Sequence, residues 1–258
     1  MLKISVMGLK GGVGKTSVTL GLAGAACVRG LATLVVDLDP QGNATSILAT
    51  NTPSATVADV IATPTLAMLE KALTACEWEV APGEVDVLPS TPDLIFADAY
   101  KPGVFRPRLA KALEHLDGYD LVIFDCPPSH GSLVREALSI SDAALVVTTP
   151  SFFGAQGVDR AVQTINEVQQ EINPDLEFAG VIVNRVRSVV EEHDYRQREL
   201  VEVHGRSAIL SPVIPERVAI QQAESHGQPV QTISSAGARE VREIFDKHLT
   251  RLLRNYDK

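Results

Sequence analysis

Two lysines set among glycines are the residues of this chain whose spacing first suggests chemistry. Lys10-Gly11-Gly12-Val13-Gly14-Lys15-Thr16 follows an apolar run, Ile4 to Met7, and opens a helical pattern from Thr16 to Arg29. Small residues let consecutive backbone N–H groups point into one concavity, and the positive end of a helix dipole favours an anion there. In such a loop Lys15 neutralises β- and γ-phosphate oxygens and the Thr16 hydroxyl ligates Mg²⁺; Gly11, Gly12, Val13, Gly14 and Ser17 are the remaining phosphate-binding candidates. The usual G-x-x-x-x-G-K-[ST] pattern fails at its first glycine, which is Leu9 here, and a second cation, Lys10, stands near the start of the loop.

Carboxylates follow at the ends of two further apolar runs. Asp37-Leu38-Asp39-Pro40-Gln41-Gly42-Asn43 closes the second, and Asp39 can orient an attacking water or support a Mg²⁺ shell. A plain strand-ending turn, with Asp39 and Asn43 capping the next helix, accounts for the same residues. Tyr119-Asp120-Leu121-Val122-Ile123-Phe124-Asp125-Cys126-Pro127-Pro128-Ser129 ends another run in Asp125, placed to bind Mg²⁺ through water opposite Thr16. Farther along, Asn184 ends Val181-Ile182-Val183; its amide can pair with an adenine edge or simply serve a turn.

The elements that must position these residues are legible as alternation. Strand-like runs are Ile4–Met7, Leu31–Val36, Val85–Leu88, Leu121–Phe124, Ala143–Thr148, Phe178–Val183 and a weaker Ala208–Val213. Most are continuously apolar, as strands covered on both faces require. Helical patterns lie between them at Thr16–Arg29, Arg106–Leu116, Gly131–Ile140, Ala155–Ile172 and Ala236–Leu253. The expected fold is α/β and doubly wound, a mostly parallel sheet with helices on both faces, in one domain spanning residues 1–258. Thr50 to Pro82, rich in Ala, Thr and Pro, blurs the pattern and suggests only a short helix around Met68, Leu69 and Leu73.

With these motifs in place the chain resembles the deviant-Walker P-loop ATPases of the ParA/MinD group. The resemblance implies ATP and Mg²⁺ as ligands, and a Lys10 that reaches across a nucleotide-sandwiched homodimer to the partner's phosphates. It makes Lys10, Lys15 and Asp39 the catalytic residues, with Thr16, Asp39 and Asp125 around the metal. The run DLDPQGN is similar to switch I of ParA-type partition ATPases, in which the second Asp is required for hydrolysis, and Asp-Cys-Pro-Pro-Ser is similar to switch II. Asn184 with Pro215, Glu216 and Arg217 resembles the family's adenine-contacting segments. Non-specific DNA and a ParB-like or other adaptor protein are the implied partners, the nucleoid in the cytoplasm the implied location, and chromosome or plasmid partition, or cargo positioning, the implied function. A MinD-type membrane-associated regulator of division or of polar or flagellar placement is the alternative, and a metabolic P-loop enzyme a third.

Composition sets limits on these readings. The chain has 258 residues, 45% hydrophobic and 21% charged, which describes a chain able to bury a core. It lacks a run of 18 apolar residues, and its N-terminus enters a strand and Gly-rich loop rather than a signal-peptide pattern. Cys27, Cys76 and Cys126 are an odd set without CxxC spacing, consistent with a reducing cytosol. Net charge is −9, yet residues 185–258 hold 12 of the 23 Lys+Arg and 11 of the 32 Asp+Glu, net +1, leaving −10 on residues 1–184. Arg185, Arg187 and Arg217 are therefore candidate DNA-phosphate contacts. Interleaved acids, Glu191, Glu192, Asp194, Glu199, Glu202 and Glu216, equally suit a salt-bridged surface helix. The family commonly reads Ile-Pro-Arg-Asn-Val-Arg where this chain reads Ile214-Pro215-Glu216-Arg217-Val218-Ala219, so a DNA-binding arginine is replaced by Ala219. The last helix is amphipathic with a mixed-charge polar face, expected to pack on the sheet rather than lie on a membrane.

Overall fold

The computed structural model describes residues 1–49, 51–78, 82–96, 107–114 and 116–256. In chain order the elements are β1 (Leu2–Met7), α1 (Lys15–Val28), β2 (Ala32–Asp37), α2 (Asn43–Leu48), α3 (Val57–Ala62), α4 (Leu66–Ala72), β3 (Thr74–Ala75) and β4 (Glu84–Leu88). There follow α5 (Arg108–Leu113), β5 (Leu121–Asp125), α6 (Ser132–Ile140), β6 (Ala143–Thr148), α7 (Phe152–Glu171), β7 (Glu177–Val183), α8 (Glu191–His204), α9 (Val218–Ser225) and α10 (Ala236–Tyr256). The sheet runs β3-β4-β2-β5-β1-β6-β7, parallel except for the short edge strand β3.

Side chains alternate between two cores, one on each sheet face. Leu34, Val36, Val122, Phe124, Ala144 and Val146 face one; Val35, Leu121, Ile123, Leu145 and Val147 face the other. Burying both faces explains why the sequence runs are continuously apolar instead of alternating. Helices α3 to α8 pack on the first face and α1, α2, α9 and α10 on the second. The expected doubly wound arrangement is what forms. Helix α1 is buried along most of its length, and α10 lays Val241, Phe245, Leu249 and Leu252 into the same core. The approach is close: a Cβ on Gly21 would stand 2.2 Å from the Phe245 ring. The apolar stripe of α10 is thus spent inside the protein, against α1 more than against the strands.

Several boundaries differ from the sequence pattern. Ala208–Val213 is not a strand; it makes one isolated parallel bridge, Ile209 to Val181, before a cis Ser211-Pro212 bond. An X-Pro turn cannot extend a ladder that needs regular N–H donors. The stretch after Thr50 holds two helices, α3 and α4, and the strand β3, where a single short helix was expected; Thr50 itself lies outside the described residues. Ala, Thr and Pro hide the apolar period there, while caps define it: Thr56 and Asp59 form a capping box and Thr65 accepts from the Met68 N–H. Helix α5 is shorter than Arg106–Leu116, and Arg106 lies outside the described residues.

Candidate functional site

The carboxyl ends of β1, β2 and β5 meet at one edge of the sheet, where ligands bind in open α/β folds. β1 delivers the glycine loop, whose Gly14 has φ +92 and caps α1. A side chain there is excluded twice over. The left-handed φ disfavours it, and a Cβ would lie 2.1 Å from Asn184 Nδ2. Asn184 is buried at the end of β7; its Nδ2 donates to Val13 O (2.9 Å) and its Oδ1 accepts from Arg185 N (2.9 Å). The amide expected to meet adenine is thereby also a brace for the loop backbone. Lys15, the first residue of α1, is buried, with 6% of its surface exposed.

β2 and β5 are neighbours, and their register pairs Asp37 with Asp125. Both are fully buried. Thr16 Oγ1 donates to Asp125 Oδ2 at 2.6 Å, joining the first turn of α1 to the end of β5. Burial, with the Asp37 charge next, pushes the Asp125 carboxyl up to about 8, against the pull of the Thr16 hydrogen bond and Lys15. Burial likewise pushes Asp37 up to about 6, although Thr45 donates to it through backbone and hydroxyl (2.8 and 2.7 Å) and Asp39 through its backbone (3.1 Å). A desolvated pair of carboxyls held at this edge with a threonine hydroxyl is the hard oxygen donor set that suits Mg²⁺.

Asp39 lies just beyond β2, 7% exposed, with Oδ1 accepting from Gln41 N (3.0 Å) and its carbonyl accepting from Ser90 Oγ (2.6 Å). It faces a cleft of about 400 Å³ lined also by Gly11, Gly12, Gly14, Lys15 and Thr16. A second, smaller cleft adjoins it and is lined by Asn184, Pro215, Glu216 and Arg217. Ser17, Arg185 and Glu224 line both. The candidate phosphate, metal and adenine residues are therefore brought together. Lys10 is the exception. It is only half-buried, and its Nζ lies 5.9 Å from the ring centroid of Phe153, itself exposed.

The AAA domain family profile matches residues 1–178. The sporulation initiation inhibitor protein Soj of Bacillus subtilis is 31% identical over 248 residues, 88% of this chain and 89% of that protein. The chromosome partitioning protein ParA of Myxococcus xanthus is 32% identical over 238 residues, 88% of this chain and 80% of that protein. This chain is a ParA-type P-loop ATPase. A solved cobyrinic acid a,c-diamide synthase from Mycobacterium smegmatis, with bound ATP analog and magnesium, shares the fold with a TM-score of 0.78 and 29% identity, covering 100% of this chain and 97% of that one. The ParA-type chain is an ATP hydrolase, and Mg-ATP is the nucleotide of its family.

In this ATPase three arginines of the late region are matched to acids within the chain. Arg187 pairs with Glu216, Arg196 with Glu192 and Glu199 on α8, and Arg217 with Glu240. Of the three candidate DNA contacts, Arg187 and Arg217 are in these ion pairs and Arg185 borders both clefts. Ala219, in the first turn of α9, is buried in the core. Residues not anticipated from sequence are Asp37, the register partner of Asp125, and Glu224, whose carboxylate accepts from Ser17 Oγ at 2.5 Å. Asp37 had a signal, since it ends an apolar run as Asp125 does. Glu224, 207 residues from Ser17, had none.

Proposed function

We propose that the protein is a partition or cargo-positioning ATPase, acting as one domain over residues 1–258, whose ATP state is a homodimer that holds DNA non-specifically until an adaptor of the ParB kind triggers hydrolysis. The observation that carries the dimer is the contrast between the two lysines. Lys15 lines the cleft of its own chain, whereas the Lys10 ammonium rests on an exposed phenylalanine ring, where a second copy can be reached. Lys15 and the loop N–H groups hold the β- and γ-phosphates, Asn184, Pro215, Glu216 and Arg217 border the base, and Lys10 adds positive charge in trans to the transferred phosphoryl. Asp39 orients the attacking water, and Thr16 and Asp125 hold the metal shell. Mg²⁺, when bound, neutralises charge on the phosphate oxygens.

Arg185, Arg187 and Arg217 are the phosphate-backbone contacts of this reading. The fold of α10 favours DNA over a membrane as the surface, because its apolar face is buried against α1. Sedimentation of the Asp39→Ala protein tests the dimer: it is expected to double in mass with Mg-ATP and to stay monomeric with ADP, and Lys15→Ala should abolish the change. A mass independent of nucleotide contradicts the proposal. Liposome pelleting that depends on ATP would return the membrane-regulator reading.

A further inference from the structure

β1 and β6 are neighbours in the sheet, so the glycine loop after β1 leaves Lys10 beside the start of α7. The first turn of α7 is fixed. Ser151 Oγ accepts from the Gly154 N–H (3.2 Å), Thr148 Oγ1 donates to the Gly154 carbonyl (2.9 Å), and a Cβ on Gly154 would stand 2.2 Å from Thr149 O. Phe152 and Phe153 project from this turn, 51% and 66% exposed. Each ring carries a cation. The Arg196 guanidinium carbon is 5.3 Å from the Phe152 centroid and is itself in ion pairs with Glu192 and Glu199. The two rings meet edge to face at 5.4 Å, and Lys10 Nζ lies over Phe153. Phe153 is thereby oriented from α8, through Phe152, and among the described residues Lys10 has no carboxylate partner.

A carboxylate beside Lys10 would neutralise the charge that a partner's phosphates need. The negative face of a ring attracts the ammonium and leaves its charge and outer N–H donors available. We propose that Phe153 is a positioning residue for the reaction: its ring holds Lys10 outside the cleft of its own chain and presents it to the nucleotide of a second copy. The proposal rests on the reading that Lys10 acts in trans. An unrestrained lysine loses rotamer freedom when it is fixed on a phosphate, and the ring removes part of that loss beforehand. A second copy that covers Phe152 and Phe153 also takes water from the contact, which strengthens it. The ATP dimer should therefore depend on the charge distribution of the Phe153 ring, although Phe153 lines neither cleft.

Sedimentation of the Asp39→Ala protein with Mg-ATP tests this, with Phe153 replaced in turn by 4-fluoro-, 3,5-difluoro- and 3,4,5-trifluorophenylalanine, by Leu and by Tyr. Fluorine withdraws charge from the face of the ring while keeping its shape and apolar surface. The dimer dissociation constant is expected to rise stepwise with fluorine, reaching about fivefold for the trifluoro ring and for Phe153→Leu. Phe153→Tyr, which keeps the ring face, should hold it within about twofold. ATP affinity of the dilute monomer, set by Lys15 and the loop, should not follow the series. A dimer weakened by Phe153→Leu but indifferent to fluorine makes Phe153 an apolar contact only and overturns the positioning role. A dimer that tightens with fluorine overturns it too, because the ring then competes with the partner's phosphates. Lys10→Ala tests the underlying reading separately. Dimers as tight as with Lys10 remove the trans lysine itself, whereas dimers weakened by Lys10→Ala and indifferent to fluorine confine the failure to Phe153. Circular dichroism spectra of the variants establish that folding is intact.

Discussion

The carboxyl ends of β2 and β5 and the arginine-bearing segment from residue 185 onward are both dense in charge, but they neutralise it differently. At the strand ends Asp37 and Asp125 are buried side by side, with a lysine and hydroxyls around them and their carboxyls pushed up by desolvation. In the late segment Arg187, Arg196 and Arg217 each meet a carboxylate at the surface. The first region stores an unmet demand for positive charge, which a metal ion with its nucleotide can satisfy. Surface pairs of the second kind are screened by solvent and salt and add little to stability. Charge counting alone would rank the arginine-rich region as the reactive one; burial reverses the order.

The most damaging substitution should fall in the buried region. Lys15→Ala is expected to lower ATP turnover by about 10²–10³-fold, the usual loss when one preorganised charge is removed from a transferring group. A turnover assay at saturating Mg-ATP reads it, and a change of less than about threefold would place the reactive centre elsewhere.

Stability against pH sharpens the same contrast. Because folding raises the Asp125 carboxyl to about 8, its neutral form is the one the fold favours. Without metal, that contribution is complete below about pH 4 and is lost as pH rises toward 8. Melting temperatures of metal-free protein should fall across this window, and Asp125→Asn should flatten the decline. Mg-ATP should oppose it, since a bound cation favours the charged carboxylate.

A buried histidine gives the opposite slope. His248 is 1% exposed, its Nε2 lies 2.8 Å from Pro212 O, and burial lowers its pKa to about 4. Its neutral form is favoured by folding, so stability is full above about pH 6.5 and declines as pH falls toward 4, by up to about 3 kcal/mol. Comparing His248→Gln with wild type over pH 4–7 isolates this term: the difference between their melting temperatures should shrink on the acid side. A constant difference would contradict it.

The smallest effects belong to the surface pairs. Arg217→Ala should change stability by no more than about 0.5 kcal/mol, and should reduce the salt slope of DNA binding by about one. Glu240→Gln, which releases Arg217, should tighten DNA binding at low salt. If it does not, Arg217 is not among the DNA contacts.

How legible these regions were in sequence follows from the same physics. The glycine loop could be read because a backbone approaching phosphate tolerates few residue types, and Gly14 is held against Asn184 by both φ and space. The parallel strands were readable because two cores demand continuous apolar runs. The mixed-charge pattern around α8 anticipated the pairs at Arg196. Ala208–Val213 misled because it has strand composition but carries Pro212, which has no N–H to give a ladder. Glu224 could not be found by spacing, since only the fold brings α9 to the start of α1.

ATP binding and ATP turnover measured side by side in Asp39→Ala protein test the central claim that the buried edge separates holding the nucleotide from cutting it. Lys15, Thr16 and Asp125 remain in place in that variant, so binding should stay within a few-fold of wild type while turnover falls by about 10²-fold or more. Turnover that persists with binding intact, or a loss of both in equal measure, would contradict the assignment of Asp39 to the attacking water.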